Sequence, residues 1–119
     1  MFPSRGHILG ALCAALTMVG AASLHAEGTA RELIAHVKQG DTATISALAG
    51  MSIGLGWANT ELESRRMPQL YCQPPNLALT YQQNIAILEA FVHQDQKSLD
   101  LPAGFILLEG MKLAFPCPR

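Results

Sequence analysis

Charge is scarce in this chain. Only 14% of residues are Asp, Glu, Lys or Arg, and the formal net charge is −1 at pH 7. That balance gives no basis for holding nucleic acid or an anionic membrane surface. Aromatic residues are also few, at 6%, with a single tryptophan, Trp57. No stretch alternates convincingly with period two, which leaves little room for a sheet. The three cysteines, Cys13, Cys72 and Cys117, lie far apart. A dithiol redox motif needs two residues between its cysteines, so none is present. Nor do His36 and His93 sit near Cys72 or Cys117 in the spacing of a zinc site.

The one long apolar run is N-terminal. Arg5 and His7 lead into an uncharged stretch from Ile8 to about Leu24, followed by His25 and Ala26. This is the layout of a secretory signal peptide, residues 1–26. The run is short for a membrane span and rich in Ala and Gly. Export would place residues 27–119 in an oxidising compartment as one small domain with no membrane association. The exported part carries seven basic and nine acidic residues, a net charge of −2. A cut after Ala26 also removes Cys13, leaving Cys72 and Cys117 as an even pair. The pair predicts a disulfide, with two buried free thiols as the alternative.

Helical spacing runs through the rest. Thr29 and Glu32 have the spacing of a capping box, and Gly40 is placed to stop a first helix over 30–39. Asp41 or Thr42 can cap a second helix. Its small residues Ala43, Ala47, Gly50, Gly54 and Ala58 form a stripe that predicts the close approach of another helix. Residues 61–76, with Pro68 and Pro74-Pro75, read as irregular. Thr80 and Gln83 repeat the capping box before a third helix over 81–93, and His93–Ser98 continues as a loop. Asp100 can cap a last helix with Pro102 in its first turn, ending at Pro116. The predicted class is all-α: four to five short helices closed by one disulfide, in which Cys72 before the third helix meets Cys117 after the fourth.

No catalytic residue, cofactor or metal ligand set emerges. Ser46, Ser52, Ser64 and Ser98 lack a nucleophile-elbow context. Glu61 and Glu63 share their segment with Arg65 and Arg66 and read as a solvated charged stretch. His36 and His93 read as ordinary helix residues, His93 favoured by the helix C-terminus. Trp57 reads as a core or interface anchor. Two polar segments could present a contact surface to a partner: Glu61–Gln69 with Arg65 and Arg66, and His93–Asp100 with His93, Gln94 and Asp95.

Gly50 and Gly54 with Trp57-Ala58, then Leu70-Tyr71-Cys72-Gln73-Pro74-Pro75, Leu79-Thr80 and Gln83, and finally Leu113-Ala114-Phe115-Pro116-Cys117-Pro118, form a distinctive set. In these residues, over about 45–118, the chain resembles the Rap/Tai family of type VI secretion immunity proteins. The resemblance implies a small periplasmic all-α protein, commonly a homodimer, with its two cysteines bridged. It further implies binding and inhibition of a peptidoglycan amidase effector. A small periplasmic stress or acid-protection chaperone is the alternative. That role would call for clustered titrating groups that expose apolar surface in acid, and the chain has no dense cluster.

Overall fold

A computed structural model of the chain describes residues 28–119. The expected signal peptide, 1–26, lies outside the described residues. The described chain is a compact all-helical domain with α1 at Ala30–Lys38, α2 at Thr42–Ser64, α3 at Tyr81–Gln94 and α4 at Ala103–Ala114. A 3₁₀ turn, Gln96–Asp100, joins α3 to α4.

Local chemistry sets the helix starts. Both capping boxes form. Thr29 accepts from the Glu32 amide while Glu32 accepts from the Thr29 amide, and Thr80 and Gln83 do the same for α3. Asp41 caps α2, its carboxylate accepting from the Ala43 amide and the Thr44 hydroxyl. These bonds to the charged form hold the Glu32 and Asp41 carboxyls below their usual range. The start of α4 differs from expectation. Pro102 occupies its cap position with no side-chain bond. Asp100 instead pairs with Arg31 of α1 at 3.0 Å, which raises the arginine's pKa. The α4 start is held by backbone: Ala30 N–H donates to the Leu101 carbonyl, and Ala103 N–H to the Gly28 carbonyl.

α1 and α2 end in the same way. At α1 the Gly40 amide donates to the Val37 carbonyl and the Asp41 amide to the His36 carbonyl. At α2 the Arg66 amide donates to the Glu63 carbonyl and the Met67 amide to the Leu62 carbonyl. Both are Schellman closures, which need a left-handed residue one place beyond the cap. Gly40 supplies it at φ 77° without steric penalty; Arg66 supplies it at φ 57° against one. The second closure comes late, so α2 runs through Ser64 and the irregular segment begins at residue 65 rather than 61. Glu61 and Glu63 are helical, and Glu61 pairs with Arg65 one turn on at 2.5 Å.

The core gathers Leu33 and Val37 of α1, Leu48 of α2, Leu88 and Val92 of α3, and Ile106, Leu107 and Met111 of α4. Each burial of such a side chain is worth about 1.5–3 kcal/mol, so α4, with three, is the central helix. α3 and α4 form the most extensive helix pair. Gly110 lies at their closest approach: a Cβ there would meet the Ile87 carbonyl oxygen and Cγ2, each at 3.0 Å. The small-residue stripe of α2 has no such neighbour. Ala43, Ala47, Gly50, Gly54 and Ala58 are exposed, and nothing outside the adjoining turns of α2 lies within 4 Å of a Cβ built on Gly50 or Gly54. α2 turns Ile45, Leu48 and Leu55 inward, because larger side chains bury more apolar area than the stripe could.

Cys72 and Cys117 are disulfide-bonded, S–S 2.08 Å, with their Cα atoms 4.8 Å apart. The bond lies between the approach to α3 and the exit from α4, so it closes the open end of that helical hairpin. Beside it the Cys72 amide donates to the Phe115 carbonyl at 2.8 Å. No described helix is long and apolar enough to cross a membrane. The disulfide fits an oxidising compartment.

Candidate functional site

A concavity lies between the C-terminal half of α2 and the segment after it. It is an open groove of about 580 Å³. Ile53, Gly56, Trp57, Thr60 and Glu63 line it from α2; Gln69, Tyr71, Gln73, Pro74 and Pro75 line it from the opposite wall. Positions 53, 56, 57, 60 and 63 recur at helical spacing, which puts them along one side of α2.

The opposite wall is irregular in backbone yet firmly held. Asn59, 7% exposed, is the clamp. Its Nδ2 donates to the Tyr71 carbonyl at 2.8 Å, and its Oδ1 accepts from the Leu70 amide at 2.8 Å. One amide side chain thus replaces the missing ladder partner of two consecutive residues, and loss of either bond would strand a buried polar group. Cys72 follows at once with its disulfide and its bond to the Phe115 carbonyl. Past it, Gln73 Nε2 donates to the Leu77 carbonyl, and the Leu77 amide donates to the Pro74 carbonyl, folding the Pro-Pro turn. Tyr71 fills the floor of this wall, 2% exposed, and burial pushes its phenol pKa up. Deeper in the bundle a second polar pair, Ser52 Oγ to Asn84 Oδ1 at 3.0 Å, ties α2 to α3.

Trp57 is not a core anchor. It stands 70% exposed at the groove, with Ile53 at 61% beside it. Helical spacing placed it on α2, but not the side of the helix it occupies.

The two segments expected to form a contact surface are not brought together. Arg65 caps the end of α2 and pairs with Glu61, and Arg66 occupies the left-handed turn. Both are exposed just past the groove and neither lines it. His93 and Gln94 form the last turn of α3, exposed. Asp95 is structural rather than free: its amide donates to the Phe91 carbonyl and its carboxylate accepts from the Lys97 amide at 3.2 Å. The stretch read as a loop is therefore a 3₁₀ turn, pinned by buried Ser98 donating to the Asp95 carbonyl. The groove wall leads into one end of α3 and this turn leaves the other. The length of the helix, about 20 Å, separates them.

Glu63 and Gln69 belong to the expected contact segment Glu61–Gln69 and Gln73 to the Leu70–Pro75 motif, but sequence reasoning did not place them on one groove or assign Asn59 a role. A signal existed for Asn59 alone: it falls on the Ile45–Leu48–Ser52–Leu55 side of α2, where a polar residue needs a partner. No family model, curated protein or solved structure matches the chain.

Proposed function

We propose that the protein is a non-catalytic inhibitor that binds a partner enzyme, specifically a periplasmic immunity protein against a type VI secreted cell-wall amidase. The observation that carries this reading is the rigid wall opposite Trp57. A segment with irregular backbone is fixed by Asn59 and the Cys72–Cys117 bond, so it can meet a partner without first being ordered. Preorganisation of this kind removes part of the entropic cost of binding. The same wall holds the Cys72-Gln73-Pro74-Pro75 residues on which the resemblance to the Rap/Tai family rests. The reading includes export to the periplasm and a homodimer, for which the uncharged outer face of α2 is the available surface.

The test begins at the gene neighbourhood. An exported amidase encoded next to this chain should be inhibited stoichiometrically by the oxidised protein, and co-expression should prevent lysis when the amidase is sent to the periplasm. Absence of binding between the purified pair, measured by calorimetry, would overturn the proposal.

A further inference from the structure

Among the described residues, the acidic side chains divide unevenly. Glu32, Asp41 and Asp95 accept hydrogen bonds in helix caps. Glu61, Glu89, Asp100 and Glu109 each pair with a basic side chain. Glu63 alone has a carboxylate with no hydrogen-bond or ion-pair partner, and it lines the groove. No Lys, Arg or His lines that groove with it. The remaining, uncharged lining includes the Trp57 ring, the flat rings of Pro74 and Pro75, and the amides of Gln69 and Gln73. We infer that the groove takes a lysine- or arginine-bearing extended segment of a partner protein, with the cation between the Glu63 carboxylate and the Trp57 ring.

Each part of the groove contributes to that choice. An exposed tryptophan face attracts a cation through its quadrupole, and a carboxylate on the same groove supplies a charge-assisted hydrogen bond. Gln73 Nε2 is engaged with the Leu77 carbonyl, which leaves Oε1 to accept from a partner's backbone amide. Pro74 and Pro75 have no amide hydrogen and cannot pair as a strand edge, so they offer apolar contact instead. Dimensions agree. From Ile53 to Glu63 the helix advances about 15 Å, the span of four to five residues of extended chain at about 3.3 Å each. The inference rests on the proposed reading of the chain as a binder of a partner enzyme and narrows it to a contact.

The experiment is selection of a random peptide library, displayed on phage, against the oxidised protein. Trp57 is the only tryptophan in the sequence, so its emission reports directly on the groove. Selected peptides should be enriched in Lys or Arg, should shift that emission, and should bind more weakly as salt rises. Glu63→Gln, close in shape, should weaken them by about tenfold. Glu63→Lys should turn the selection toward acidic peptides, while Glu61→Gln, at a carboxylate already paired, should leave it unchanged. A pool without basic enrichment, an unshifted emission, or equal affinity for Glu63→Gln would overturn the inference. Failure of the immunity reading looks different: basic peptides would still bind the groove while no neighbouring amidase is inhibited. Conversely, amidase inhibition untouched by Glu63→Lys and Trp57→Ala would keep the immunity reading and remove the groove as its contact.

Discussion

The α3–α4 contact and the outer face of α2 use the same residue type for opposite reasons. Gly110 sits where two helix backbones nearly touch, with the Ile87 carbonyl oxygen 3.0 Å from where a Cβ would be. Gly50 and Gly54 sit in open space. At the first place glycine is required by packing. At the second it costs helix propensity, about 1 kcal/mol each, and gains nothing within the domain. Spacing in a sequence identifies small residues; only the fold shows which of them has a neighbour.

The difference can be broken most severely at the hairpin's lock. Cys72→Ser should destabilise the protein by about 4 kcal/mol, the chain-entropy value for a loop of this length. Denaturant melts of the oxidised wild type and the variant would measure it, and a loss below ~1 kcal/mol would mean that packing alone holds the hairpin. Gly110→Ala comes next, at about 1–3 kcal/mol destabilising, since its methyl group meets the Ile87 backbone carbonyl as well as the Ile87 side chain. Asn59→Ala should cost about 1–3 kcal/mol by stranding the Leu70 amide and the Tyr71 carbonyl. Amide exchange should then speed up at Leu70 while α4 stays protected. Gly54→Ala should go the other way and stabilise by about 1 kcal/mol. A matched loss at Gly54 and Gly110, read as melting temperatures, would erase the contrast. Smallest is an acid effect at the caps. The Glu32 and Asp41 carboxyls are held below their usual range, so their contribution is present above the ordinary pKa and fades as pH falls through the depressed one. Exchange at the first amides of α1 and α2 should therefore rise below the ordinary carboxylate range, with little change at the start of α3, where Gln83 does not titrate.

Much of this architecture could be read from local rules. Thr29 with Glu32, Thr80 with Gln83, and Asp41 each act within three residues, so spacing alone reveals them. The Cys72–Cys117 pairing followed from counting the cysteines that lie outside the expected signal peptide. What stayed hidden depends on distant partners. Asp100 looks like a cap until Arg31 is seen beside it. The end of α2 was placed near residue 60 because Arg66 gives no hint that it will take a conformation usually left to glycine. The groove was the least legible, since Glu63 and Gln73 come to face one groove only after Asn59 has drawn the chain back along α2.

The backbone bonds between residues 28–30 and 101–103 bear on timing. Gly28 and Ala30 find their partners at the entry to α4, and Cys72 finds its partner after α4 has ended. A chain that emerges from its N-terminus first, from a ribosome or through a membrane pore, cannot complete either closure until its last helix has appeared. Both closures therefore form late, after α4 has emerged. The two ties that hold the ends of the fold together are thus the last that synthesis makes possible.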